Sequence, residues 1–249
     1  MTFRKFPRRA MLGGLAGAML ARGAHAQGAD VAARRALVEE IDEAIRALAP
    51  ITGVERLAPE ILDAFLAVPR HLFVPPPLVP FAYRDRPLPL GYGQNLAQPS
   101  ITALMTQLIE PRRDMRVFET GTDTGFQAAI LARLGADVFS MEIVEPLLRF
   151  AREVLARHDF GRIQFRLGDG WYGWQDAAPF DAILAKESAS DVPPPLLAQL
   201  APGGRLVIPL GPPEGEQWLT IVTRRADGAV SERRVLPVRF APFQGGERI

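Results

Sequence analysis

The chain has 249 residues, 48% of them hydrophobic and 23% charged, which suits one globular α/β domain with a full core and leaves too little chain for two. It has no cysteine, which excludes disulfides and thiolate metal sites, and its three histidines are too few for a histidine-based metal cluster. The formal net charge is +1, but residues 1–26 hold five basic side chains and no acidic one, so the remainder carries −4 and lacks the basic surface that nucleic-acid binding requires.

The N-terminus reads as a targeting segment. Arg4, Lys5, Arg8 and Arg9 form a basic n-region, residues 11–21 are apolar, and Ala24-His25-Ala26 supplies a small-x-small cleavage pattern. An apolar run of 11 residues falls far short of the ~20 needed to span a bilayer, so residues 1–26 are expected to be a removable signal peptide and not a membrane span. Arg8-Arg9 followed by Ala10-Met11-Leu12 resembles a twin-arginine signal. That predicts a periplasmic mature protein beginning near Gln27, or a cytoplasmic one if the signal is not used.

Val38, Ile41, Ile45 and Leu48 have helical spacing and predict a helix over 31–49. A second helix is expected over 58–67, stopping before Pro69. The Pro-rich stretch 75–89 reads as an ordered loop without regular structure, and a third helix follows Pro99 with Ile101, Leu104, Met105 and Leu108 inward. Strands and helices then alternate. Strands are predicted at 116–119, 137–142, 163–167, 180–184 and 205–209, with helices at 125–134, 146–157 and 193–200. Two last strands, 218–224 and 234–240, are joined by a turn around Ala226-Asp227-Gly228 with no helix between them. The expected fold class is therefore α/β: a doubly wound, mostly parallel seven-stranded sheet with a C-terminal antiparallel hairpin and N-terminal helices. Residues 27–110 would supply the helices and a substrate-side loop, and 111–249 the α/β core of the same domain.

In open α/β sheets ligands bind beyond the carboxyl ends of the strands where strand order reverses. After the first predicted strand stands Glu119-Thr120-Gly121-Thr122-Asp123-Thr124-Gly125, a turn that lets backbone approach a nucleotide-like ligand near a helix N-terminus. Glu142 ends the second strand, where a carboxylate can accept two ribose hydroxyls, and Asp169 follows the third, placed for the adenine end. Each acid alone reads equally well as a solvated strand end. Three at successive strand ends favour a nucleoside site. His71 and His158 read as structural or solvated.

Several longer motifs point further. VPRHLFVP (68–75), AYRDRPLPLGYGQ (82–94), GADVFSMEIV (135–144), GDGWYGW (168–174), APGGRLVIPLG (201–211) and VLPVRFAPF (235–243) together resemble the protein-L-isoaspartate O-methyltransferase family. The resemblance covers roughly residues 55–243. It implies the methyltransferase variant of the dinucleotide-binding fold, S-adenosylmethionine as cofactor, a protein or peptide substrate, a monomer, and methyl transfer to the α-carboxyl of isoaspartyl residues in damaged proteins. It also implies that Glu119, Gly121, Gly125, Glu142 and Asp169 form the cofactor site, in whose loop Asp123 stands, and that Gln94, Asn95, Ala97, Gln98 and Pro99 form the substrate loop.

Three places depart from the family pattern. Asp123 stands at the central glycine of the cofactor loop, Ala97 replaces a hydroxyl residue of the substrate loop, and Lys186-Glu187-Ser188-Ala189 replaces a run of small residues after the fourth strand. Lys186 is the only lysine besides Lys5. The loops after the first and fourth strands adjoin at the switch point, so Asp123 and Lys186 are expected to pair across the mouth of the site. Alternatively, Lys186 grips a cofactor or substrate carboxylate. Two functions stay open: a working isoaspartyl methyltransferase, and an exported non-catalytic protein that keeps the fold to bind peptides or a protein partner.

Overall fold

The computed structural model describes residues 12–244, with side chains from residue 30 onward; the basic n-region at 1–11 lies outside the described residues. Helix α1 runs over Leu12–Thr52 and buries Leu37, Val38, Ile41 and Ile45 on one stripe. Helix α2, Pro59–Ala67, opens on a proline and ends ahead of Pro69, as proline geometry dictates at both ends. Among the described residues no helix is long and apolar enough to cross a membrane.

The Pro-rich stretch is more regular than its composition implies. A 3-10 turn over Arg70–Phe73 places His71 Nδ1 2.6 Å from the Tyr83 hydroxyl, and a second 3-10 helix spans Pro76–Phe81. Strands β1, Leu88–Gly91, and β2, Gln94–Leu96, then form a small hairpin. Proline fixes φ near the value a 3-10 turn needs, so a proline cluster favours this tight helix rather than forbidding all regularity. Tyr92 and Gly93 both have positive φ, 55° and 72°, the pairing of a type I′ turn.

After helix α3, Pro99–Leu108, come β3 (Arg116–Thr120), α4 (Phe126–Arg133), β4 (Asp137–Glu142), α5 (Glu145–Ala156), β5 (Ile163–Leu167), β6 (Phe180–Leu184), α6 (Pro194–Gln199), β7 (Leu200–Leu210), β8 (Gln217–Arg224) and β9 (Val230–Val238). The sheet order is β5-β4-β3-β6-β7-β8-β9, parallel from β5 through β7 and antiparallel at β8 and β9. Chain order reverses between β3 and β6, and that crevice is the switch point.

Two strands start earlier than the sequence reading placed them. β7 begins at Leu200 and passes through Pro202-Gly203-Gly204, with a register shift against β6 that accommodates the proline and glycines as an irregularity. β9 begins at Val230 because the turn closes tightly: Gly228 has φ +85° and Arg225 N donates to Ala229 O at 2.8 Å. The N-terminal helices share one continuous apolar core with α4 and the sheet, in which Ile41, Ile61 and Leu104 join Val117, Ala128 and Leu219.

Candidate functional site

The loop between β3 and α4 is shaped by two left-handed glycines. Gly125, φ +92°, caps α4, and any Cβ there would meet Leu155 and Ala151 of α5 at 2.7 and 3.3 Å, so glycine lets helix pack on helix. Gly121, φ +62°, opens the loop with Glu187 lying directly against it. Between them Asp123 also has positive φ, 53°, a conformation that aspartate tolerates better than most side chains. Its backbone supplies part of the site: Asp123 N donates to Glu142 Oε2 at 2.7 Å.

The three acids at successive strand ends behave differently. Glu119 is fully buried; its Oε1 accepts from Ser140 Oγ at 2.6 Å and its Oε2 has no hydrogen-bond partner. Burial pushes its carboxyl upward in pKa, against the pull of Lys186 and Ser140. Glu142 accepts Asp123 N on one oxygen and Val144 N, at 2.8 Å, on the other. Burial, followed by the Asp123 charge, raises it to about 7. Asp169 accepts from Trp171 N at 2.9 Å through Oδ1, while its buried Oδ2 is unpartnered. Behind it, a Cβ on Gly170 would strike Thr120 at 2.6 Å, so this strand end approaches β3 at backbone distance.

The structure brings Asp123 and Lys186 together. Lys186 Nζ lies 3.3 Å from Asp123 Oδ2 and 3.9 Å from Glu119 Oε2, with its side chain 8% exposed. Burial opposes its charge, but Glu119 and Asp123 outweigh burial and hold the ammonium protonated well above the usual lysine range. Asp123 moves upward through burial despite that partner. The pair is part of a larger cluster that the residue pattern did not reveal. Glu187 accepts a hydrogen bond from Thr120 Oγ1, and burial raises its carboxyl to about 8. The sequence marked 186–189 as atypical; the weight it gave to the lone lysine belongs equally to the carboxylate beside it.

These side chains divide the crevice into two chambers. The larger, about 380 Å³, has Gln94, Asn95, Ala97 and Gln98 on one wall and Asp123, Lys186 and Glu187 on the other. The smaller, about 20 Å³, is lined by Gly121, Asp123, Glu142, Asp169, Gly170 and Glu187. Pro99 lies outside both, as the buried first residue of α3, and Gly125 acts through packing. Sequence reasoning also missed what holds the substrate-side wall. Arg70, 1% exposed, donates to the carbonyls of Ala82, Ala97 and Arg86 at 2.7, 3.1 and 3.4 Å. Asp85 accepts from Ser100 N at 2.7 Å and Gln98 Nε2 at 2.9 Å, fixing the loop to the start of α3.

The nucleoside end fits S-adenosylmethionine. The orphaned Asp169 Oδ2 can accept from an adenine amino group, and both Glu142 oxygens retain lone pairs for ribose hydroxyls. Glu119 lines neither chamber, and the ammonium nearest its Oε2 is that of Lys186, 3.9 Å away. At the Gly121 end, the Glu187 carboxyl occupies the space and must move for the rest of the molecule to enter.

Residues 49–248 match the family of protein-L-isoaspartate(D-aspartate) O-methyltransferases. The chain is 46% identical over 202 residues to protein-L-isoaspartate O-methyltransferase 1 of Nitrosospira multiformis, covering 81% of this chain and 86% of that one. It is 45% identical over 209 residues to protein-L-isoaspartate O-methyltransferase 2 of a Polaromonas species, covering 84% and 99%. A solved protein-L-isoaspartate O-methyltransferase superposes with a TM-score of 0.72 at 26% identity, covering 86% of this chain and 66% of that one. A Plasmodium falciparum structure in complex with S-adenosyl-L-homocysteine shares the fold, with a TM-score of 0.71 at 21% identity.

Proposed function

The chain belongs to the protein-L-isoaspartate(D-aspartate) O-methyltransferase family, and from that premise we propose that it methylates the α-carboxyl of isoaspartyl residues in damaged proteins outside the cytoplasm. The observation that carries the chemistry is the pair Glu142 and Asp169 at successive strand ends, one holding two backbone amides and the other keeping a buried free oxygen.

When bound, S-adenosylmethionine supplies an electrophilic methyl group. The chain's own residues have positioning work to do, because the substrate carboxylate is already a nucleophile and needs no strong base. Asp169 and Glu142 would hold the nucleoside through the lone pairs they keep free. Arg70 and Asp85 hold the substrate loop through its backbone, so that a peptide carboxylate in the larger chamber faces Gly121. Ala97 offers no hydroxyl there, which leaves the side-chain amides of Gln94, Asn95 and Gln98 as polar donors on that wall. Export is supported by Arg4, Lys5, Arg8, Arg9 and the Ala24-His25-Ala26 pattern. A twin-arginine substrate crosses folded and could carry its cofactor with it. The negative charge of the remainder supports a protein that acts on polypeptides rather than nucleic acid.

Glu187 against Gly121, with the ion pair beside it, favours the second reading, a non-catalytic protein that retains the substrate groove. One assay separates the two. Purified protein of residues 27–249 is incubated with methyl-labelled S-adenosylmethionine and a peptide bearing either isoaspartate or aspartate. The proposed function requires base-labile label on the isoaspartyl peptide alone; peptide binding with no label on either supports the second reading.

A further inference from the structure

Glu187 lines both chambers, and among the described residues no other carboxylate besides Asp123 does so. Its Oε1 occupies the place that a Cβ on Gly121 would take, and its Oε2 is tied to Thr120 Oγ1 at the end of β3. The side chain thus fills the space that the left-handed glycine leaves free. Its backbone, in contrast, is fixed from both sides. Ala185 N donates to Val207 O at 2.9 Å, Ser188 N to Ala241 O at 2.8 Å, and Phe243 N to Ser188 O at 3.1 Å. Clearing the chamber therefore calls for a side-chain rotation and not for loop movement, and the 380 Å³ chamber next door has room to receive a carboxyl group.

We propose that Glu187 determines cofactor selectivity: it turns from Gly121 into the larger chamber to admit the methionine end, and its carboxylate there favours the cationic sulfonium of S-adenosylmethionine over the neutral thioether of S-adenosylhomocysteine. This rests on the reading that S-adenosylmethionine binds here. Burial raises the carboxyl to about 8, which favours the neutral form where it stands against Gly121. Rotation toward solvent lets it ionise, and a sulfonium beside it stabilises that ion further. The charged groups around it are Asp123, Lys186 and Glu142, with Asp169 lining the smaller chamber and Arg239 the larger. Lys186 offsets Glu187 only in part, since the ammonium is shared with Asp123 and Glu119. Preference for the charged cofactor also eases departure of the neutral product after transfer.

Calorimetric titration of the wild type, Glu187→Gln and Glu187→Ala at pH 8.5 with each ligand tests this without turnover. Glu187→Gln keeps the volume and loses the charge, so the ratio of S-adenosylmethionine to S-adenosylhomocysteine affinity should fall by about tenfold, the effect of one charge at close range in a partly screened site. Glu187→Ala empties the space over Gly121, so S-adenosylhomocysteine should bind more tightly than it does to the wild type. An unchanged ratio in Glu187→Gln overturns the selectivity, and unchanged or weaker S-adenosylhomocysteine binding by Glu187→Ala overturns the occlusion. Binding of neither ligand by any of the three folded proteins overturns the cofactor reading beneath both. Binding gained only in Glu187→Ala supports the occlusion.

Discussion

Lys186→Met removes the ammonium from among the carboxylates of Glu119, Asp123, Glu187 and Glu142, at nearly constant side-chain volume. In the wild type Nζ lies 3.3 Å from Asp123 and 3.9 Å from Glu119, with 8% of the lysine side chain exposed. At an effective dielectric of about 20, one pair at that separation is worth up to ~5 kcal/mol before desolvation is subtracted, and cutting one partner of a buried pair costs about 3–5 kcal/mol. The carboxylates can take up protons to relieve the strain, so a loss of about 3 kcal/mol at pH 8 is expected, or roughly 6–12 °C in Tm for a domain of this size. The sign of the pH dependence follows from the direction of the shifts. Glu142 and Glu187 are raised to about 7 and about 8, so their contribution is fully present below the unfolded carboxylate pKa and is lost as pH rises through those values. Without the ammonium, Asp123 and Glu119 join them, and stability should fall more steeply between pH 5.5 and 8 than in the wild type. Urea unfolding at both pH values, for Lys186→Met, Asp123→Asn and the double variant, measures it. The double variant should be more stable than the sum of the single losses implies, by at least about 1 kcal/mol. Additive losses, or a Lys186→Met deficit that is the same at both pH values, would refute the reasoning.

Asp123→Gly removes a Cβ from a left-handed backbone position and a charge from the methionine end, and S-adenosylmethionine should bind about tenfold more tightly by calorimetry; unchanged affinity would mean that the loop has adapted to the aspartate. Arg70→Met deletes a buried guanidinium that serves three carbonyls, one of them on the substrate loop, so KM for an isoaspartyl peptide should rise by about tenfold or more while S-adenosylhomocysteine affinity stays within about twofold. Equal losses in both would reduce Arg70 to a stability residue. Mass spectrometry of protein from its native host should find a mature N-terminus near Gln27 in the periplasmic fraction, and an intact Met1 in the cytosol would contradict the signal.

The alternation of β and α elements was legible because period and punctuation agreed there: Asp137–Glu142, Ile163–Leu167 and Phe180–Leu184 match their predicted spans. Proline and glycine obscured the rest. Pro76–Phe81 forms a 3-10 helix because proline's fixed φ suits that turn, and β7 starts at Leu200 because pairing with β6 tolerates an irregularity at Pro202-Gly203-Gly204. At the site, Glu142 and Asp169 could be placed from the rule that ligands gather at carboxyl strand ends. The approach of Asp123 to Lys186 followed from the adjacency of β3 and β6. Glu187 could not be placed from its position alone, because the direction of a loop side chain depends on the bonds that fix its backbone, here to Val207, Ala241 and Phe243. Arg70 is the same case: nothing in its spacing says that its partners are carbonyls on three separate segments.

The most direct measurement is a titration of S-adenosylmethionine into the wild-type protein and Asp169→Asn. The buried Oδ2 of Asp169 has no partner among the described residues, and an amide nitrogen there would face the adenine amino group donor to donor. The wild type should bind one equivalent, and Asp169→Asn should bind at least about tenfold more weakly, with unfolding midpoints alike. Equal binding by the two proteins, or none by a folded wild type, would contradict this reading of the site.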